Sequence, residues 1–270
     1  MILVNIGCGR VFHPGWINLD SAPVGPAVRA HDARGPLPFA DASVDVVYHA
    51  HMLEHLEADD ARRFLAECHR VLRPGGIIRV VVPDLEAIAQ VYLRELAGVR
   101  TGGDATLYEW ARLELIDQAA RSRSGGEMAG FLAQLTPAQV ALVRTRAGAE
   151  TEGILAMQRT RPRRFSWGKG WLELRRRLAR LLLFGLGGRR MTAAFDEGWF
   201  RSGGEVHRVM YDDVWLSRLL VTGGFSEPQK TTAVESRIPD YAAYELDAVA
   251  GVARKPDSLY LEAVRPAGGP

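Results

Sequence analysis

With 270 residues, 47% of them hydrophobic, and a formal net charge of +2, the chain can bury one large α/β core with an inserted subdomain, and a second independent domain is not required. No window reaches the roughly 18 consecutive apolar residues of a membrane span, and Met1 leads straight into an apolar run without a leader pattern, so a cytoplasmic protein is expected. Two cysteines, Cys8 and Cys68, make neither a disulfide framework nor a cysteine metal cluster.

The first ninety or so residues alternate strand and helix patterns. Ile2 to Ile6 is a short apolar run that ends in Gly7-Cys8-Gly9, and Trp16 to Leu19 is a second run that ends in Asp20. A buried strand delivering a glycine turn to the carboxyl edge of a parallel sheet, with an acid beside it at the end of the next strand, outlines a nucleoside pocket. A short strand is expected near Ala27 to Ala30, followed by His31-Asp32-Ala33 and a proline-rich turn. Val44 to Tyr48 and Ile77 to Val82 are the apolar, β-branched runs of buried parallel strands. Between them Ala61, Phe64, Leu65, Cys68, Val71 and Leu72 mark one face of a helix that Asp59 or Asp60 can cap and Pro74-Gly75-Gly76 can end.

From Leu85 to about Gly204 the pattern is helical and irregular, with helices expected at Leu85 to Ala97, Ala105 to Arg121, Pro137 to Ala147 and Trp171 to Phe184. This block is too long for a crossover and reads as a helical insertion, a lid over the carboxyl edge of the sheet. A helix over Tyr211 to Thr222 and strands at Phe225 to Val234 and Ser258 to Val264 then complete the sheet. The expected fold is α/β, a Rossmann-like, seven-stranded, mostly parallel sheet with a helical insertion. Its parts are 1–86 for cofactor binding, 87–205 for the lid and 206–270 for the rest of the sheet domain.

Charge is unevenly placed. Residues 159–190 hold eleven Lys or Arg against one acid, Glu173, giving +10 there and −8 elsewhere. Trp171, Leu174, Leu178, Leu181 and Leu182 fall on one helical face, with Arg175, Arg176, Arg177 and Arg180 mostly on the other. The pattern fits peripheral membrane contact through residues 171–186, a lipid-linked or anionic acceptor, or a solvated helix with its apolar side packed on the core. No nucleic-acid-binding motif accompanies it, and only Phe165, Trp167 and Trp171 interleave with the basic residues.

Two cofactor classes compete for the glycine turn. A dinucleotide fingerprint needs a third glycine at position 12, which is Phe12, and a full first helix, for which the ten residues between Gly9 and Asp20 leave no room. S-adenosylmethionine has no pyrophosphate and needs close backbone approach, which Gly7 and Gly9 permit, with an acid for the ribose, which Asp20 supplies. Asp32-Ala33 is placed to receive an adenine amino group, and Phe39 could wall the ring.

The stretches NIGCG, GWINLD, LPFADASVDVVYHAHMLEHL, ECHRVLRPGG and VVPD resemble the class I, type 11 SAM-dependent methyltransferases, especially their small bacterial branch. The resemblance covers residues 2 to 86 and returns in HRVMYDDVWLSRLLVTGGF and KPDSLYLEAV. It implies S-adenosyl-L-methionine as cofactor, with the methionyl part against Gly7, Cys8 and Gly9, the ribose at Asp20, the adenine at Asp32 and Ala33, and His49, Ala50 and His51 along the pocket. Val11 stands where the family's third loop glycine falls.

Methyl transfer to a hydroxyl needs alignment and a base, and histidine titrates in the right range. His51 and His207 are the candidate bases, with Tyr211 and Asp84 behind them, and an amine or ionised acceptor would need none. His49, His51, Glu54 and His55 invite a metal reading, but the same LEH tripeptide recurs in the family without metal, so none is expected. The expected function is methyl transfer to a small-molecule or glycan acceptor, most simply O-methylation in glycan or natural-product biosynthesis. The rival is a non-catalytic SAM-binding scaffold recruited to a membrane or partner by its basic helix.

Overall fold

The computed structural model describes residues 1–159 and 167–268, and the side chains of 157–170 are not described. Phe165 and the arginines Arg161, Arg163 and Arg164 of the basic segment lie outside the described residues, as does the side chain of Trp167. Strands β1 (Leu3–Ile6), β2 (Ile17–Asp20), β3 (Val28–Ala30), β4 (Val44–Ala50) and β5 (Leu72–Pro83) are followed by β6 (Ser226–Thr231), the small hairpin β7 (Ala248–Val249) and β8 (Val252–Ala253), and β9 (Ser258–Val264). The main sheet has seven strands in the order β3-β2-β1-β4-β5-β9-β6. Neighbours from β3 to β5 are parallel, and β9 runs antiparallel to both β5 and β6. This is the Rossmann-like, mostly parallel sheet read from the sequence.

Strand alternation sets the two faces of the sheet. Val4, Ile6, Val47, Val80 and Leu261 point to the face covered by α1 (Ala58–Val71) and, later in the chain, by α8 (Asp213–Thr222), where Phe64, Leu65, Leu216 and Leu220 complete the core. Leu3, Trp16, Val46, Tyr48, Val81 and Tyr260 point to the other face. No helix joins β1 to β2. Residues 232–257, the excursion between β6 and β9, lay Ala233, Ile238, Tyr241 and Leu246 on this face instead.

Arg79, fully buried in β5, pins that excursion. Its Nε donates to Asp247 Oδ2 at 2.8 Å and its Nη1 to Glu262 Oε1 at 2.8 Å, while its Cζ sits 4.4 Å from the Tyr241 ring centroid. Tyr48 and Tyr241 hydroxyls each donate to Asp247 at 2.6 Å, so the buried acid is paired and hydrogen-bonded.

Two local readings change. The first turn of α1 is entered from Glu57 without a side-chain cap, with Asp59 and Asp60 inside the turn rather than before it. Pro74-Gly75-Gly76 does not separate helix from strand. It lies within β5 as a register shift, with Gly75 at φ +80° donating its N–H to Arg265 O at 2.8 Å.

The helical block leaves and rejoins the sheet at one point, where Asp84 bridges Tyr211 and Leu85 N–H donates to Tyr211 O at 2.9 Å. Between them run α2 (Leu85–Arg100), α3 (Thr106–Ala120), α4 (Gly126–Leu132), α5 (Pro137–Ala147), α6 (Ala149–Arg159) and α7 (Trp167–Arg201). Trp110, Leu113, Met128, Leu132, Val143, Ala147 and Ile154 form this block's own core. Helix α7 is two helices joined at Gly187 (φ −147°) and Gly188 (φ +62°). Arg176 and Arg180 reach across to Asp196 at 3.4 and 3.0 Å, and Arg176 lies 5.7 Å from the Trp199 ring centroid, so the two halves fold back as a hairpin.

Candidate functional site

The glycine turn sits at the carboxyl edge of β1 because the chain there must bend toward β2. Gly7 N–H donates to Leu19 O at 2.8 Å with φ at +67°, and a Cβ on Gly7 would lie 2.7 Å from Met52 Cγ, so only glycine fits. Gly9 has φ +53° and open space where a Cβ would stand. Asp20 locks the turn, its Oδ2 accepting from Gly9 N–H at 2.8 Å and its Oδ1 from Ala22 N–H at 2.7 Å.

The loop Arg10 to Trp16 replaces a first helix. Asn5 Nδ2 donates to Val11 O at 3.1 Å, and Asn18 Nδ2 donates to His13 O and Trp16 O at 3.0 and 2.9 Å. Two buried amides therefore supply the hydrogen bonds that a helix would have made internally.

Two cavities meet at this turn. One, of about 300 Å³, runs past Asp20, His31, Asp32, Ala33 and Arg34 to Ser202–Gly204. The other, of about 400 Å³, lies over the sheet face that the 232–257 excursion covers, between the loop, Tyr48, Ala50 and Val81 on one side and Glu150, Lys255, Ser258 and Tyr260 on the other. Gly7 and His51 line both. Cys8 borders the larger one, and burial, with the Asp20 charge, pushes its thiol up to about 11.

His51 follows β4 with φ at +51°, a left-handed conformation unusual for a side chain of this size. Its Nδ1 is 3.3 Å from Glu54 Oε1 and its Nε2 3.0 Å from Ser258 Oγ. Glu54 sits in the short 3-10 turn Leu53–His55 with no exposed surface. Burial alone would raise its carboxyl, but the neighbouring imidazoles, His51 first among them, hold it at about 2. One ligand-capable atom from each of Glu54, His55 and His207 lies within 4.8 Å of the others, the one such group among the described residues.

Several expected site residues stand elsewhere. His49 does not border either cavity. Alternation turns it to the opposite face from Ala50, where it is fully buried edge-on to Phe64 at 5.1 Å, and burial lowers its pKa to about 4. Phe39 packs on the main core, as Ala33 does, and does not line the smaller cavity. Asp32 does border the smaller cavity, but Arg34 grips both carboxylate oxygens, at 3.0 Å from Nε and 2.6 Å from Nη2, which holds its pKa down. His207 is buried against the His55 ring, 4.7 Å between centroids, and burial lowers its pKa to about 4. It borders neither cavity. Tyr211 is a core residue, and Asp84 caps α2 while facing Lys230 at 3.3 Å.

Residues beyond the motifs also shape the larger cavity. Lys255 Nζ pairs with Glu150 Oε2 at 3.2 Å. Burial pulls the Lys255 ammonium down, but the Glu150, Asp257 and Glu54 carboxylates outweigh it and raise the pKa. Lys255 lies in the late stretch KPDSLYLEAV, so the resemblance reached it. Glu150, in the helical block, carries no signal that sequence reasoning could have used.

A glycine turn between β1 and β2, an acid closing β2, and a seven-stranded sheet whose sixth position is antiparallel make a Rossmann-like fold. Residues 5–80 match the family model described as a methyltransferase domain, so the resemblance in the glycine-turn and LEH stretches is borne out there. A probable S-adenosylmethionine-dependent methyltransferase of Mycolicibacterium smegmatis is 48% identical over 54 residues, 20% of either chain. A probable S-adenosylmethionine-dependent methyltransferase of Mycobacterium tuberculosis is 50% identical over 48 residues, 18% of this chain and 17% of that one. The match thus spans about a fifth of the length of these curated relatives. Among solved structures, a SAM-dependent methyltransferase from Thermotoga maritima, a possible histamine N-methyltransferase, aligns over 98% of this chain and 82% of that one, at 12% identity and a TM-score of 0.41.

Proposed function

We propose that the chain is a SAM-dependent methyltransferase that methylates a hydroxyl of a small-molecule or glycan acceptor. The observation that carries the reading is His51, placed where the two cavities meet, backed by the buried Glu54 carboxylate and hydrogen-bonded to a hydroxyl, that of Ser258. A cofactor fits this cradle because Gly9 leaves open space and Asp20 keeps lone pairs for a ribose after tying the turn. The adenine side falls to Asp32 and Ala33, and the methionyl side to Gly7, Cys8, Gly9 and Ala50.

S-adenosylmethionine supplies an electrophilic methyl group on a sulfonium. The chain's own part is to align the acceptor and take its proton. The acceptor hydroxyl replaces Ser258 Oγ at His51 Nε2, and the ring accepts the proton there while Glu54 stabilises the imidazolium through Nδ1. His207, buried against the His55 ring and bordering neither cavity, is left without a direct part at the acceptor. Lys255 and Glu150 give the acceptor cavity one cation and one acid, suited to a polyhydroxylated ligand.

Calorimetry with S-adenosylhomocysteine and with NAD, followed by transfer of a labelled methyl group to a panel of hydroxylated acceptors, tests the reading. Adenosylhomocysteine is expected to bind and NAD not to. Asp20→Ala should weaken adenosylhomocysteine by roughly 1–3 kcal/mol, the cost of stranding buried polar groups. Tight NAD binding with no heat from adenosylhomocysteine would overturn it, and binding without transfer to any acceptor would favour a non-catalytic scaffold.

A further inference from the structure

Helix α7 turns its amphipathic faces the wrong way for a packed helix. Arg176, half-buried, reaches Asp196 and Trp199 of the returning half, and the exposed Arg180 also pairs with Asp196. Trp171, Leu174, Leu178, Leu181 and Leu182, one helical stripe, point to solvent. Trp171 is 65% exposed and Leu181 and Leu182 each 69%, and at the turn Phe184 and Leu186 reach 56% and 79%. The stripe is about 17 Å long at the rise of an α-helix. Isolated exposed leucines need no explanation, but a contiguous stripe of this kind marks a contact surface. The reading in which the apolar side packs on the core does not hold for this helix.

We propose that the α7 hairpin docks on an anionic lipid surface, with the stripe and turn lying in the headgroup boundary. Charge decides the occupant. Arg175 and Arg177 flank the stripe on its two sides, and Arg189 and Arg190 follow the turn, all four exposed. Two copies packed stripe to stripe would bring these arginines together, whereas anionic headgroups complement them and their stems can snorkel upward. No helix among the described residues is long and apolar enough to cross a membrane, which leaves surface docking as the mode. The second half of the hairpin ends at Ser202–Gly204, which border the smaller cavity beside Asp20 and His51. From turn to cavity is about 20 Å along that half, so docking sets the mouth of the site near the lipid. The proposal stands apart from methyl transfer and does not depend on it.

Co-sedimentation with phosphatidylcholine vesicles, with and without a third of phosphatidylglycerol, tests it. The full chain should bind the anionic vesicles, release in high salt, and bind the neutral ones roughly tenfold less. Arg175→Gln with Arg177→Gln, and separately Leu181→Ser with Leu182→Ser, should each lower partitioning roughly tenfold or more while leaving adenosylhomocysteine binding and the melting temperature unchanged. Arg176→Gln should instead loosen the hairpin and lower the melting temperature. Equal binding to both vesicle types, or unchanged binding in the two double variants, would overturn the proposal. So would a dimer by light scattering that dissociates in Leu181→Ser with Leu182→Ser, since the stripe would then be a self-association face. These outcomes leave the methyltransferase reading untouched, because cofactor binding is read separately.

Discussion

His51 Nδ1 lies 3.3 Å from Oε1 of Glu54, and the opposite nitrogen of the same ring lies 3.0 Å from Ser258 Oγ. One imidazole thus joins a carboxylate with no exposed surface to a hydroxyl at the cavity wall. If His51 is the base, His51→Ala should cut turnover roughly 100-fold or more, with adenosylhomocysteine affinity nearly intact. Glu54→Gln should lower kcat and shift its pH profile, and Ser258→Ala should spare kcat, since Ser258 only occupies the acceptor's position. Equal turnover in His51→Ala and the parent chain would end the assignment.

Gly7 and Gly9 are both left-handed, but their surroundings differ. Gly7→Ala meets Met52 at 2.7 Å and should destabilise the fold by about 1–3 kcal/mol in denaturant titration. Gly9→Ala meets no atom within 4 Å, so its cost is about 1–2 kcal/mol of backbone strain. Its larger effect should be on adenosylhomocysteine affinity, because the added methyl fills the cradle. Identical stability and affinity changes in the two variants would contradict this division.

Arg79→Met leaves Asp247 a buried acid without a cation and Glu262 with only Arg237, whose Nε lies 3.5 Å from its Oε2. The expected loss is about 3–5 kcal/mol of unfolding free energy, read from urea midpoints. Because Asp247 borders the larger cavity, whose wall includes Gly7, Cys8 and Gly9, cofactor affinity should fall in parallel. A loss below about 1 kcal/mol would mean the excursion holds to the sheet without this ion network.

Glu114 offers a pH test within the helical block. Trp110 Nε1–H donates to its Oε1 at 2.5 Å and Arg146 Nε to its Oε2 at 3.2 Å, yet burial outweighs the arginine and pushes the carboxyl up to about 7. Between pH 4.5 and 7 the folded chain keeps a proton that the unfolded chain has released. Stability present below 4.5 is therefore lost as pH rises through about 7. Glu114→Gln should flatten the melting temperature over that window, and an unchanged slope would exclude Glu114 as its source.

How much of this was legible follows from where polar groups are buried. The β1 turn and Asp20 announce themselves because a short apolar run ends in glycines and the next in an acid, and the sheet's runs are nearly all apolar. His49 misleads because its neighbours in HAH differ only by which side of the strand they take. In the helical block the buried faces carry Glu114, Asp117 and Gln118 among apolar residues, which blurs the helical period. Helix α4 hides altogether: Asp117 caps it from a different helix, accepting from Glu127 N–H at 2.8 Å. The stripe of α7 was visible, but its direction depended on Asp196, twenty residues beyond Arg176.

The absent first helix also fixes when the site comes into being. Its place is taken by residues that follow β6, held down by an arginine in β5 and acids at positions 247 and 262. A nascent chain that has delivered β1 to β5 owns its glycine turn and Asp20, yet that side of the cleft is still unwalled. Competence to hold a ligand is acquired last during synthesis, through contacts more than 150 residues apart along the chain.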